Sequence, residues 1–185
     1  MRVIAGKARR LLLKTIEGQD TRPTTDRIKE TLFNMLQYDV PDCRFLDLFS
    51  GSGGIAIEAL SRGARHAVLV EHNPRAAACI RENLKTTHME EQGMVMACDV
   101  LEAIRRLEQA GEVFDIVFMD PPYELGLEKE VLSRLSNSPL IHEETLLIAE
   151  AALDTDFSYA EEMGYAIEKI KEYKTNKHVF LVRGE

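Results

Sequence analysis

The amino-acid sequence predicts an α/β fold with a mostly parallel sheet, and three observations support that prediction. Short apolar stretches alternate with helical patterns from residue 44 onward, which is typical of a parallel sheet covered by helices on both faces. The 185 residues are 45% hydrophobic, enough for one domain that buries roughly two thirds of its unfolded surface. A glycine-rich loop follows the first apolar stretch, and open α/β sheets bind their ligands at such strand ends.

The first 40 residues predict a small extension in front of that sheet. Residues 2–5 and 10–16 are predicted to form the two strands of a β-hairpin that turns near Gly6. A helix follows, capped by Thr24 or Thr25. Its apolar stripe comprises Ile28, Leu32, Met35 and Leu36. The extension has too little apolar surface to fold alone.

The rest of the chain predicts seven strands. Five parallel strands lie at residues 44–49, 66–70, 94–97, 116–119 and 146–149. Four helices, the second capped by Asn73, lie at residues 54–61, 74–87, 100–109 and 127–135. The last two strands lie at residues 165–170 and 178–182 and form a hairpin at the sheet edge. The chain therefore divides into an extension, residues 1–40, and a sheet domain, residues 41–185.

Composition and spacing exclude several classes of protein. No apolar run exceeds five residues, whereas a membrane span needs about twenty, and the N-terminal apolar stretch is too short for a secretion signal. We therefore expect a cytoplasmic protein that does not bind membranes. Cys43, Cys79 and Cys98 lack metal-ligand spacing, so they predict reduced thiols that fill core gaps and no metal site. The oligomeric state is left open, with a monomer favoured.

The net charge of −8 is unevenly distributed along the chain. Residues 1–30 carry a charge of +4, which leaves −12 for the rest. A basic end of this kind either contacts phosphates or is a solvated strand edge whose charges block pairing with another sheet. The candidate phosphate contacts are Arg2, Lys7, Arg9, Arg10, Arg22, Arg27 and Lys29. Arg22 and Arg27 could equally pair with acidic residues on the surface of the predicted helix.

The glycine-rich loop is the first candidate site. It comprises Asp47, Leu48, Phe49, Ser50, Gly51, Ser52, Gly53 and Gly54, between a strand and a helix. Glu71 ends the next strand, where a carboxylate accepts hydrogen bonds from ribose hydroxyls, and this arrangement also describes a dinucleotide binder. Asp47 favours a different ligand, because a carboxylate beside the glycines repels a pyrophosphate and attracts a cationic sulfonium and an amino group. Asp99, after the third strand, binds an adenine amino group or caps the helix that begins at Val100.

The second candidate site is the sequence Asp120-Pro121-Pro122-Tyr123, which directly follows the fourth strand. The two prolines hold Asp120 and Pro121 extended and rigid. The Asp120 carboxylate and the Pro121 carbonyl then accept the two N–H groups of an exocyclic amine, which turns its lone pair toward an electrophile on the glycine loop. Tyr123 offers an aromatic face on which a planar base stacks. The alternative is a strand-ending turn with a packed tyrosine.

These two motifs, in this order, resemble those of class I S-adenosylmethionine-dependent methyltransferases that modify exocyclic amines. Three further parts of the chain extend this resemblance: the basic N-terminal run and the segments Arg22-Pro23-Thr24-Thr25-Asp26-Arg27 and Glu58-Ala59-Leu60-Ser61-Arg62-Gly63-Ala64. Together they resemble the RsmD family, which methylates guanine N2 in small-subunit ribosomal RNA, and the resemblance covers essentially the whole chain. It implies a Rossmann-like fold with a seven-stranded, mostly parallel sheet. One departure follows Tyr173, where the family usually has a glycine at the last hairpin turn.

The resemblance implies a role for each group of candidate residues. Glu71 would hold the ribose of S-adenosylmethionine, and Asp99 with Val100 its adenine. Asp47, Asn73 and the glycine-rich loop would hold the rest of the cofactor. The target guanine would meet Asp120, Pro121, Pro122 and Tyr123. The basic residues, with Thr24, would contact the RNA.

The implied partner is small-subunit ribosomal RNA or an assembling ribosomal subunit. The target amine must leave any base pair, so we expect an extruded base or a single-stranded target. Three alternatives stay open: a DNA adenine-N6 or cytosine-N4 methyltransferase, a dinucleotide-binding oxidoreductase and a non-catalytic RNA-binding protein. The short extension leaves little room for the target-recognition region that a DNA enzyme needs.

Overall fold

The computed structural model describes residues 1–16, 25–123 and 125–185 and contains a seven-stranded sheet. The strands are β1 (Arg44–Asp47), β2 (His66–Val70), β3 (Gly93–Met96), β4 (Phe114–Met119), β5 (Ile141–Ala152), β6 (Tyr165–Glu172) and β7 (Asn176–Arg183). Their order is β3-β2-β1-β4-β5-β7-β6, with the first five parallel and β7 antiparallel to both neighbours. This architecture confirms the predicted fold class.

Five helices cover the sheet or join the extension to it. They are α1 (Asp26–Met35), α2 (Gly54–Ser61), α3 (Pro74–Thr86), α4 (Val100–Gln109) and α5 (Leu127–Leu135). The predicted bounds of α2, α4 and α5 match those in the structure, and Asn73 caps α3 by accepting from the backbone N–H of Arg75. A short 3₁₀ helix at Ser158–Ala160 was not predicted.

The strands at the antiparallel side of the sheet are longer than predicted. β5 begins at Ile141, which pairs with Phe114 of β4; after an irregularity, pairing with β4 resumes at Leu146, and the last residues of β5 pair with β7. The hairpin between β6 and β7 closes without the missing glycine, since the N–H of Tyr173 donates to the carbonyl of Asn176 at 2.8 Å.

The predicted N-terminal hairpin is only partly correct. Chain reversal is present, with hydrogen bonds between Val3 and Leu11 and one isolated bridge between Arg2 and Leu12, but no regular strands form. The reason is that the N–H groups of Ile4 and Ala5 donate to the carboxylate of Glu58 on α2, at 2.9 and 3.1 Å, rather than to a partner strand.

The predicted stripe on helix α1 also needs correction. Thr25 caps the helix, as predicted, but Ile28 and Met35 are only half-buried. The side chains that α1 buries are Lys29, Leu32 and Phe33, with Leu36 just beyond the end of the helix. Thr24 and Arg22, by contrast, lie outside the described residues.

Two apolar clusters pack on the two faces of the sheet. The first includes Val3, Leu13 and Phe33 of the extension together with Ile57 and Leu60 of α2. The second lies under α4 and α5. The extension is therefore built into the main core, which agrees with its lack of an apolar core of its own.

Within the described residues, no helix has the length and apolarity of a membrane span, and no three potential metal ligands cluster. Cys43 is buried, as expected of a thiol that fills the core, whereas Cys79 and Cys98 are half-buried.

Candidate active site

A cavity of about 700 Å³ opens at the carboxyl ends of β1, β2, β4 and β5. The predicted residues that line it are Lys29, Asp47, Phe49, Ser50, Gly51, Ser52, Gly54, Glu71, Asn73, Asp120, Pro121, Pro122 and Tyr123. This volume lies in the usual range for cofactor and substrate sites. The structure therefore brings the glycine-rich loop and the Asp120–Tyr123 corner into one site, as a transfer between two bound groups requires.

Two glycines of the loop serve different purposes. Gly51 has a φ of +56°, and a Cβ added there would meet no heavy atom within 4 Å, so this glycine faces open space. Gly53 has a φ of +88°, and an added Cβ would lie 3.2 Å from Leu69 and 3.3 Å from Ile57. Gly51 thus leaves room for a ligand to approach the backbone, whereas Gly53, which does not line the cavity, allows the loop to pack on the core.

Asp47 ends β1 and is 1% exposed at the base of the cavity. Its Oδ1 atom accepts no hydrogen bond within the described part of the chain. Burial is the main cause that raises the pKa of this carboxyl to about 7, and the charge of Glu71 acts in the same direction. A buried acceptor without a partner fits a ligand that brings its own hydrogen-bond donor or positive charge. The sulfonium and amino groups of S-adenosylmethionine meet that requirement.

Glu71 holds the loop in position. Its two carboxylate oxygens accept hydrogen bonds from the N–H of Gly51 at 2.9 Å and from the N–H of Asn73 at 3.0 Å. Each oxygen keeps a further lone pair, so the predicted contact with ribose hydroxyls is compatible with this arrangement.

Asp99 and Val100 do not line the cavity. Asp99 is exposed and caps α4 by accepting from the N–H of Leu101 at 2.9 Å, which confirms the capping role that the sequence indicated. Val100 packs in the core under α4. Their contact with adenine stays a prediction.

The corner at Asp120 follows the last residue of β4. Pro121 is buried, while Pro122 and Tyr123 are exposed along the cavity. Burial raises the pKa of the Asp120 carboxyl well above its usual range, and the charges of Glu150 and Asp47 raise it further. A carboxylate whose pKa is raised in this way is a stronger base than an ordinary one.

Sequence reasoning missed Glu150, which lies near the end of β5 and lines the cavity while only 5% exposed. The sequence did contain a signal, because Glu150 interrupts an apolar run directly after the predicted fifth strand. Asp47, Asp120 and Glu150 together are called the acidic wall below. Met1, Thr15, Ile16 and Phe118 also line the cavity and were not predicted.

Most of the predicted phosphate contacts that the structure describes are exposed. They are Arg2, Lys7, Arg9, Arg10 and Arg27. Arg2 forms a 3.4 Å ion pair with Asp26, one of the acidic residues of the predicted helix that Arg22 and Arg27 were expected to pair with. An exposed basic surface therefore lies on the extension that also reaches the cavity through Met1.

Lys29 is an error of the sequence prediction. It is 1% exposed, and its Nζ donates to the carbonyl of Arg2 at 2.6 Å and lies 3.6 Å from Oε2 of Glu58. Glu58 also accepts from Nε of Arg62 at 2.9 Å. Lys29, Glu58 and Arg62 form the junction, which fastens the extension to α2. Lys29 lines the cavity, but a lysine that is buried and paired in this way stabilises the fold and is not exposed for contact with RNA phosphates.

Comparisons with known proteins identify the family and a solved structure of the same fold. A model of the family described as Conserved hypothetical protein 95 matches residues 1–183. YlbH of Bacillus subtilis, named as a candidate rRNA methyltransferase, is 37% identical over 150 residues, 81% of this chain and 82% of that protein. Ribosomal RNA small subunit methyltransferase D of Escherichia coli is 35% identical over 154 residues, which are 83% of this chain and 76% of the relative. The solved structure of yhhF from Escherichia coli superposes with a TM-score of 0.83 at 30% identity and covers 100% and 98% of the two chains.

Proposed function

Because this chain belongs to the RsmD family, whose model is described as Conserved hypothetical protein 95, we propose that it methylates the N2 amine of a guanine in small-subunit ribosomal RNA. The methyl donor is S-adenosylmethionine, on which methyltransferases of this fold depend. One observation carries the proposal: the cavity joins the Asp120–Tyr123 corner to a buried Asp47 whose Oδ1 has no partner among the described residues. The proposal places the reaction in the cytoplasm, on ribosomal RNA or an assembling subunit.

The residues that would hold S-adenosylmethionine surround the glycine-rich loop. Asp47 would accept from its amino group and offset its positive charge, and Glu71 would accept from its ribose hydroxyls. Gly51 leaves open space for its methionine part. Asp99 and Val100 would meet its adenine. When bound, S-adenosylmethionine supplies an electrophilic methyl group on a positively charged sulfur.

The corner at Asp120 orients the amine of guanine. The Asp120 carboxylate and the Pro121 carbonyl accept one N–H each, so the nitrogen lone pair turns toward the methyl group, and Tyr123 stacks on the base. Transfer of the methyl group would form the N–C bond and break the S–C bond, with the electron pair of the broken bond left on sulfur. Asp120 then takes the proton that the methylated nitrogen loses, which its raised pKa favours.

The basic surface of the extension would hold the RNA by its phosphates. Arg2, Lys7, Arg9, Arg10 and Arg27 are exposed on it, while the remainder of the chain carries the acidic excess. Arg22 and Thr24 belong to this proposal by sequence alone. Contacts to phosphate give affinity but discriminate little between RNA sequences, so the target base must be selected in the cavity.

The proposal is tested by transfer of a radiolabelled methyl group from S-adenosylmethionine. The acceptors are small-subunit ribosomal RNA and small-subunit particles from a strain that lacks this protein. We expect label in one guanine, recovered as N2-methylguanine. Label only in adenine or cytosine of DNA would replace the proposal with a DNA methyltransferase. Absence of label from RNA and particles, with S-adenosylmethionine bound, would indicate a non-catalytic protein.

A further inference from the structure

Glu150 lies beside Asp120 on the neighbouring strand. Met119 of β4 is in register with Ala149 of β5, so Asp120 and Glu150 occupy the next positions along two adjacent parallel strands. Both side chains line the cavity. Any flat ring whose amine contacts Asp120 therefore has Glu150 as a near neighbour.

The carboxylate of Glu150 is fixed from behind by β7. Nδ2 of Asn176 donates to Oε1 at 2.8 Å, and Nε2 of His178 lies 2.9 Å from Oε2. A carboxylate only accepts, so this ring nitrogen carries the hydrogen, and the hydroxyl of Tyr173 lies 3.0 Å from the other ring nitrogen. His178 is fully buried. The carboxylate thus has a set orientation, and each oxygen has the capacity to accept a further hydrogen bond from a group in the cavity that Glu150 lines.

Guanine differs from the other amino bases at the position next to its amine. The guanine Watson–Crick edge carries an N1–H donor beside the N2 amine, whereas adenine has an N1 acceptor and cytosine an N3 acceptor beside theirs. A fixed acceptor next to the amine site therefore attracts guanine and repels the lone pair of adenine or cytosine. Asp120 and Pro121 cannot make this distinction, since all three bases offer an NH₂ group to them.

We propose that Glu150 accepts a hydrogen bond from N1–H of the target guanine and so selects guanine over adenine and cytosine. The inference rests on the proposed function and adds its base specificity. Asn176 and His178 act as positioning residues for Glu150. This assignment explains why the carboxylate of Glu150 is buried beside those of Asp47 and Asp120.

A structural role for Glu150 is the competing explanation, because its contacts to Asn176 and His178 also join β5 to β7. The two explanations differ in one respect. Loss of a structural contact lowers activity on every substrate alike, whereas loss of a base-reading contact changes the ratio between substrates.

The test compares RNA that carries guanine or 2-aminopurine at the methylated position, introduced by ligation of a synthetic segment. 2-Aminopurine keeps the amine at C2 but has an acceptor at N1. We expect the wild-type kcat/KM for guanine to exceed that for 2-aminopurine by about 10- to 100-fold, the range for one hydrogen bond to a charged group. In Glu150→Gln, the amide can donate to the N1 acceptor, and the ratio should fall to about threefold or less.

Glu143→Gln is the matched control, because Glu143 is exposed on the same strand and lies outside the cavity. It should keep the wild-type ratio. An equal loss on both substrates in Glu150→Gln, with the ratio unchanged, would overturn the inference. If Glu150→Gln does not fold, the wild-type ratio decides: equal rates on guanine and 2-aminopurine would equally overturn it. Failure of the wild type to methylate guanine N2 would instead refute the proposed function.

Discussion

Two regions of this protein bury charged side chains, but they do so in opposite ways. At the junction, Glu58 faces Lys29 at 3.6 Å and Arg62 at 2.9 Å and also accepts from two backbone N–H groups. In the acidic wall, three carboxylates lie together, and the pKa of Asp47 and that of Asp120 are both raised. The junction pairs its charges with each other, whereas the acidic wall places three carboxylates together, and Oδ1 of Asp47 has no hydrogen-bond partner among the described residues.

The comparison distinguishes buried charges that stabilise the fold from buried charges that bind a ligand. Buried charge without a partner is unfavourable, so a folded protein keeps it only where function demands it. The unpartnered Oδ1 of Asp47 lies in a cavity that fits a cationic cofactor. The junction needs no ligand, and its role is to place the basic extension beside the cavity. Four variants test this account of the two regions and of the extension that the junction holds.

Asp120→Asn should have the largest effect. The amide cannot take the proton from the methylated amine, and its neutral oxygen is a weaker hydrogen-bond acceptor than a carboxylate. We expect kcat for RNA methylation to fall by about 100- to 10,000-fold, while the affinity for the demethylated cofactor product stays within about twofold. Single-turnover methyl transfer and calorimetry measure the two quantities.

Asp154→Asn, the same substitution at an exposed position, serves as the control and should leave both quantities unchanged. Full activity in Asp120→Asn would refute the mechanism.

Glu58→Gln should break the junction. The variant leaves the buried ammonium of Lys29 without its opposite charge, and such a change costs about 3–5 kcal/mol of stability. Urea unfolding should show a lower midpoint with an unchanged slope. Glu102→Gln removes an exposed carboxylate that pairs with Arg105 and Arg106, and its effect should be much smaller. Equal effects of the two variants would mean that the junction is no more structural than a surface ion pair.

Asp47→Asn should stabilise the protein without its cofactor at high pH. The folded-state pKa of Asp47 is raised to about 7, so the carboxyl ionises in the unfolded chain at lower pH than in the folded protein. Wild-type stability therefore falls as the pH rises from about 4 to about 7, by up to about 4 kcal/mol.

The Asn variant lacks this loss, so its advantage in urea unfolding should be absent near pH 4, grow as the pH rises and be complete above pH 7. Its affinity for S-adenosylmethionine should fall, because the negative charge that offsets the cationic groups is gone. A variant that is less stable than wild type at pH 8 would contradict this account of the acidic wall.

Arg9→Ala combined with Arg10→Ala should have the smallest effect. Both arginines are exposed on the extension, so their loss should weaken RNA binding and flatten its dependence on salt by about one to two in slope. Cofactor affinity should not change. Arg105→Ala with Arg106→Ala, an adjacent exposed pair on α4, is the control. If the salt slope of the Arg9 and Arg10 variant equals that of wild type, the extension does not hold the RNA.

The same two regions explain what the sequence could and could not predict. The loop from Asp47 and the corner at Asp120 were predictable, because glycine and proline restrict the backbone locally and the strand ends place both at one edge. The burial of Lys29 was not predictable, since its counterion Glu58 comes from another helix 29 residues along the chain. The role of Glu150 depends on Asn176 and His178 of β7, whose insertion between β5 and β6 the local pattern did not reveal.

The central claim is that the acidic wall binds a cationic ligand. It is tested most directly by the protons released when S-adenosylmethionine binds. Near pH 7, Asp47 is about half protonated without ligand, and a positive charge beside it lowers its pKa. Calorimetry at pH 7 in two buffers of different ionisation enthalpy should therefore show release of up to about half a proton, and clearly less in Asp47→Asn. A binding enthalpy that does not depend on the buffer, or uptake of protons, would contradict the account.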